Sequence, residues 1–151
     1  MGQAVELGVA RLSEAEAIAT LSRHRVEGGL GWRWTPETIR RRIRDDETEV
    51  IVARSEGRVV GFALMQLDLD DAHLLLLGVG SDVERQGLGR RLLHFLEEEA
   101  RAAGIRYLHL EVRANNRGAR AFYQAHGFRE AAYLRGYYQG REDAVRMVAQ
   151  L

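Results

Sequence analysis

The chain of 151 residues, 46% hydrophobic and 29% charged, has the size and composition of one globular domain able to bury a real core. It has no cysteine, which excludes disulfides, thiolate metal ligation and a cysteine acyl-enzyme; all 22 basic residues are arginine, which excludes a Schiff-base or phosphate-loop lysine. Formal charge is zero, so bulk electrostatics point to neither a nucleic-acid nor a membrane partner.

The first residues carry Glu6 and Arg11 and lack a basic-then-apolar leader pattern, which predicts a cytoplasmic protein. Ser13 before Glu14-Ala-Glu16-Ala-Ile18 predicts an N-cap and a first helix, with acidic residues at its positive end. Gly28, Gly29 and Gly31 mark a loop that also holds Trp32 and Trp34. A second helix is expected from Thr35-Pro36-Glu37, with Arg40, Arg41, Arg42 and Arg44 on a solvated face. Val50–Ala53, a Ser55-Glu56-Gly57 turn and Val59–Leu64 form a hairpin pattern, and a third strand runs from His73 to Val79. Gly78 and Gly80 suggest a bulge there, or a close backbone approach by a ligand.

Leu88, Leu92, Phe95, Leu96 and Ala100 recur at helical spacing between Gly87 and Ala103, with Gly104 as the stop. In the strand Ile105 to Val112, the residues Ile105, Tyr107, His109 and Glu111 share one face and Leu108, Leu110 and Val112 take the other. A short helix from Asn116 to His126 ends at Gly127. Strands Phe128–Leu134 and Asp143–Val148 then flank a Gly-Tyr-Tyr-Gln-Gly loop. No repeat or linker interrupts the chain, so residues 1–151 are read as a single mixed α/β domain. The histidines at 24, 73, 94, 109 and 126 lack metal-ligand spacing, and no metal is expected.

Glu84-Arg85-Gln86-Gly87-Leu88-Gly89-Arg90 sits between a strand and a long amphipathic helix. Two glycines let backbone N–H groups approach an anion, and the helix dipole favours a phosphate there. Arg85 and Arg90 could add charge-assisted hydrogen bonds. By itself this loop is equally readable as a glycine-rich helix start without a ligand. Neither glycine pair completes the G-x-G-x-x-G of a dinucleotide site.

The order strand, Arg85-Gln86-Gly87-Leu88-Gly89, helix, strand with Glu111, then Asn116-x-x-Ala119-x-x-Phe122-Tyr123-x-x-x-Gly127-Phe128 resembles the GNAT N-acetyltransferase superfamily. The resemblance runs from the first helix to the last strand and departs at Glu84, where the family usually has Gln or Arg. It implies a mostly antiparallel mixed sheet flanked by helices, with a central V-shaped splay. It also implies acetyl-CoA as cosubstrate, held by Leu77, Val79, Arg85, Gln86, Gly87, Leu88, Gly89, Arg90, Asn116 and Tyr123, with an oxyanion donor among the N–H groups near Gly78 to Gly80. Trp34-Thr-Pro-Glu37, Leu110-Glu111-Val112-Arg113 and Arg135-Gly-Tyr137-Tyr138 narrow it to protein N-terminal acetyltransferases, among them the bacterial RimI-type enzymes that acetylate a ribosomal protein at an N-terminal alanine. In those enzymes the paired tyrosines line the peptide groove, which assigns Trp34, Tyr137 and Tyr138 to substrate binding.

Acetyl transfer to an amine needs a proton acceptor for the nucleophile and a donor for the departing thiolate. Glu111 is the candidate base, with His109 in reserve, and Tyr123 the candidate acid. Each also has a plain structural reading: Glu111 as an ion-paired carboxylate near Arg113, and Tyr123, Tyr137 and Tyr138 as packing aromatics. Without cysteine, direct attack in a ternary complex is expected. A small-amine acetyltransferase, with Asp68, Asp70 and Asp71 supplying an acidic pocket, and a non-catalytic acyl-CoA sensor are the rival expectations.

Overall fold

Seven strands form one sheet in the order β1-β2-β3-β4-β5-β7-β6 in a computed structural model that describes residues 4–83 and 86–151. The strands are β1 (Val5–Val9), β2 (Thr48–Ser55), β3 (Arg58–Leu67), β4 (Asp71–Val79), β5 (Tyr107–Arg113), β6 (Arg129–Tyr138) and β7 (Glu142–Gln150). The helices are α1 (Ala15–Arg25), α2 (Pro36–Arg44), α3 (Leu88–Ala102) and α4 (Arg117–Ala125). Every strand pair is antiparallel except β4 with β5, which is parallel.

Alternation along the strands divides the core into two layers. Ile51, Ala63, Met65, Leu108 and Leu110 face α3, which buries Leu88, Leu92, Leu93 and Leu96 against them. Val50, Val52, Phe62 and Leu64 face the other way, onto Ile18 and Ala19 of α1 and Ile39 of α2. Each fully buried leucine or isoleucine contributes about 2 kcal/mol of transfer free energy. Thr35 caps α2 through its side chain, ahead of Pro36, and Asn116 caps α4 by accepting from the Ala119 N–H at 3.0 Å.

Several expectations need correction. β1, a short edge strand beside β2, is absent from the expected elements, although Val5, Leu7 and Val9 alternate with Glu6 and Gly8 and turn Val5 and Leu7 onto the core. Ser13 is not the cap of α1: it lies in a 3₁₀ turn, Leu12–Glu14, where the Arg11 N–H donates to Glu14 Oε1 at 2.8 Å. Glu14 is held there by a bidentate pair with Arg54, both contacts 2.7 Å. Ile105 precedes β5 and packs into the α3 layer with Leu108, not on the face of His109 and Glu111. Tyr137 and Tyr138 belong to β6, not to a loop; the hairpin turn is made by Gly140, at φ 70°. Arg42 is not solvated, since its guanidinium lies over the Trp34 ring at 5.6 Å and bonds Gln66 at 3.2 Å.

Candidate active site

The parallel ladder between β4 and β5 covers only Asp71↔Tyr107 to Leu74↔Leu110. Beyond it the two strands part, leaving the V-shaped gap in the sheet. The bulge in β4 lies at Leu75, not at the glycines: Leu74 pairs with Met65 and Leu76 with Leu64, so Leu75 has no partner on β3. Leu75 and Leu76 consequently both face the α1 and α2 layer, while Leu74 and Leu77 face α3. Gly78 pairs in register with Phe62, and the position needs glycine because a Cβ there would stand 2.7 Å from the Phe62 ring. The Gly80 N–H is used by Val60 O at 2.8 Å. Alternation therefore turns the peptide edges of Leu77 and Val79 toward the gap, where Arg25 Nε bonds Val79 O at 3.0 Å.

Two cavities meet at this gap. One of about 120 Å³ lies toward α4 and is lined by Leu77, Val112, Asn116 and Tyr123. The other, of about 220 Å³, lies toward α2 and the hairpin, and is lined by Arg33, Trp34, His73, Tyr137 and Gln139. Val26, Leu75, Leu76, Glu111 and Tyr138 line both.

Glu111 is the hub of the second cavity. Its Oε1 accepts from His73 Nε2 at 2.6 Å and from the Tyr137 hydroxyl at 3.1 Å, and Oε2 accepts from Arg146 Nε at 2.8 Å. Burial pushes the Glu111 pKa up, but the hydrogen bonds and charges of His73 and Arg146 outweigh it and hold the carboxyl at about 2. His109 stacks on His73 with ring centroids 4.4 Å apart. Burial and the neighbouring His73 hold its pKa below the ordinary histidine value. Burial raises the Tyr138 hydroxyl, helped by the charge of Glu111, so it stays protonated. His73, His109 and Glu111 bring ligand atoms within 4.8 Å of one another. The near-parallel rings, 17° apart, place their lone pairs in separate planes, which disfavours a shared metal ion.

On the other side, Tyr123 projects from α4 with its ring edge-on to Phe122 and Phe128 at 5.1 and 5.5 Å. Burial raises its pKa and keeps the hydroxyl protonated. Gly87, at φ 73°, begins α3 without a side-chain cap, and among the described residues nothing lies within 4 Å of where its Cβ would stand. The first N–H groups of α3 are thus open to an anion. Gln86 and Arg90 are exposed, whereas the Leu88 side chain is buried in the core and offers only its backbone. Glu84 and Arg85 lie outside the described residues.

Sequence reasoning missed His73, Arg146, Gln139 and Glu27. The buried Glu27 carboxylate accepts from Ser22 Oγ and from the N–H groups of Arg33 and Trp34, fixing the loop that carries Trp34. No local pattern marks these residues. Only strand pairing brings His73 and Arg146 to Glu111, across 38 and 35 positions.

Residues 13–128 match the model of the Acetyltransferase (GNAT) family. The chain belongs to that family. It is similar to the ribosomal protein bS18-alanine N-acetyltransferase of Escherichia coli K12, with 47% identity over 94 residues. That match takes in 60% of this chain and 64% of the relative, so the chain spans under two thirds of its length. The crystal structure of the ribosomal-protein-S18-alanine N-acetyltransferase from Escherichia coli superposes with a TM-score of 0.86 at 31% identity, over 97% of this chain and 94% of that one. Ard1 from Thermoplasma volcanium shares the GNAT fold, with a TM-score of 0.88 at 24% identity over 98% of both chains.

Proposed function

We propose that the chain transfers the acetyl group of acetyl-CoA directly to the α-amino group of a protein or peptide amino terminus. The observation that carries this reading is the pair of cavities that share Glu111 and Tyr138 across the splayed sheet. An acyl donor entering past α3 and α4 and an amine entering past Trp34 and Tyr137 would meet there, which gives the proximity that transfer requires.

The residues present fit the cosubstrate. The open start of α3 at Gly87, Leu88, Gly89 and Arg90 suits a pyrophosphate, and Arg85 and Gln86, which precede it in sequence, are proposed to bind it too. The edges of Leu77 and Val79 offer backbone hydrogen bonds to an extended arm, and Asn116 and Tyr123 line its far side. Bound acetyl-CoA supplies the activated acyl group. The Glu111 cluster serves as proton acceptor for the amine, and Tyr123 protonates the departing sulfur. The oxyanion falls to an N–H on the open edge of β4.

Trp34, Tyr137 and Tyr138 form the acceptor wall, with flat apolar area and hydroxyls that suit a peptide backbone. An α-amino group, with a pKa near 8, is easier to deprotonate than a lysine amine near 10.4. The relatives that act on a ribosomal protein alanine make such a terminus, in the cytoplasm, the proposed target. No described helix is long and apolar enough to cross a membrane.

Incubation with acetyl-CoA and peptides bearing a free alanine terminus, beside amino-blocked copies with an internal lysine, tests the reading by product mass. Acetylation confined to the free terminus is expected. Product on the lysine, or on neither, would overturn it.

A further inference from the structure

We propose that His73 takes the proton from the acceptor amine and that Glu111 is a positioning residue that orients it. This assignment rests on the acyl-transfer reading above and names the atom that does the work on its acceptor side.

Three donors already occupy Glu111: His73 and Tyr137 on Oε1 and Arg146 on Oε2. Its side chain is 5% exposed, against 24% for His73, so a substrate nitrogen reaches the imidazole more readily than the carboxylate. A carboxylate can only accept, so His73 Nε2 carries the hydrogen in their 2.6 Å bond. The ring's lone pair then sits on Nδ1, for which the described residues provide no hydrogen-bond partner. His73 lines the acceptor cavity, whereas His109, stacked against it, does not. The geometry is that of an imidazole held in one tautomer by a buried carboxylate.

The charged and titratable groups around His73 come from β4 to β7, from α2, and from the loop before it, where Glu27 and Arg33 line the same cavity. Glu111 and His109 face it from β5, Arg146 from β7 and Tyr137 from β6. Arg42 faces the same cavity from α2, and Asp71 lies two residues away on β4. Glu111 is the nearest of them, at 2.6 Å from Nε2.

The substrate ammonium gives one proton to Nδ1, and the freed nitrogen lone pair forms the C–N bond at the thioester carbonyl. Collapse of the tetrahedral adduct breaks the C–S bond. Sulfur takes the Tyr123 proton, and the second nitrogen proton restores Tyr123 through water. His73 releases its proton to solvent, so one acetyl group moves and one proton is set free.

The test compares wild type with His73→Gln, using acetyl-CoA and an alanine-terminated peptide, with kcat/KM followed across pH. Loss of about 10²-fold is expected, with the variant's rate rising only as the amine itself deprotonates. Retention of the wild-type rate and pH profile would overturn the assignment. A second acceptor with a weakly basic amine, largely unprotonated in the assay, separates proton transfer from misfolding: the penalty should shrink at least tenfold there. An equal penalty for both amines would make His73 merely structural and overturn the assignment. Wild-type protein that acetylates no free terminus would overturn the underlying activity and this assignment with it, a result visible before any variant is compared.

Discussion

Gln139 and Gly31 are joined by two hydrogen bonds across the mouth of the acceptor cavity: the Gly31 N–H donates to Oε1 at 3.0 Å, and Nε2 donates to Gly31 O at 3.3 Å. The pair ties the turn after β6 to the loop that carries Trp34. Gln139 is itself held at φ 57°, so its side chain is aimed by the turn. Gln139→Ala removes both bonds and lets the two walls separate. Peptide KM should rise several-fold, while kcat and the KM for acetyl-CoA stay near wild type, as steady-state kinetics with each substrate varied would reveal.

Glu111 links the site to acid stability. Its carboxyl titrates at about 2 in the folded chain against an ordinary 4.5, so the unfolded chain binds the proton more readily between those values. The stability it contributes is complete above about pH 4.5 and is lost as pH falls toward 2. Glu111→Gln should cost about 2 kcal/mol near neutrality, typical of hydrogen bonds to a charged group. Urea unfolding of both proteins along a falling pH series should show that gap close. A gap that stayed constant would mean the carboxylate charge contributes nothing.

Tyr123 is placed by packing and used through its hydroxyl. Tyr123→Phe keeps the ring against Phe122 and Phe128 and should leave the melting temperature within a few degrees. Its kcat should fall about 10²-fold, with the KM for acetyl-CoA little changed. Thiol release assays would check both.

Gly78 and Gly87 separate two uses of glycine. At Gly78 a methyl would press on Phe62 at 2.7 Å, so Gly78→Ala should destabilise the core by about 1–3 kcal/mol. At Gly87 the space is open but φ is 73°, so Gly87→Ala strains the start of α3 and should mainly weaken acetyl-CoA binding. Thermal denaturation paired with calorimetric titration would distinguish them.

What could be read in advance was local. Gly87 and Gly104 bracket α3, Asn116 caps α4, and Leu108, Leu110 and Val112 share a face because period and cap chemistry act over a few residues. The four consecutive leucines Leu74 to Leu77 carry no alternation, so nothing in them marks Leu75 as the residue where β4 changes face. Gly136 and Gly140 were read as loop signals, yet β6 passes through Gly136 at φ 62°, its N–H held by Asp143 at 2.8 Å. Glu111 was found from its strand, but its partners arrive by sheet order. The stacked histidines follow from the one parallel pairing, His73 with His109.

That pairing is four residues long, whereas β2 and β3 are matched over eight. The sheet is therefore two blades, β1–β4 and β5–β7, stitched along a brief seam and otherwise joined through the core beneath α3. A long, thin molecule lying along the opening would act as a rivet between the blades. Amide exchange at Leu108, His109 and Leu110 should slow on addition of acetyl-CoA far more than in β2 and β3, because seam opening and ligand release become one event.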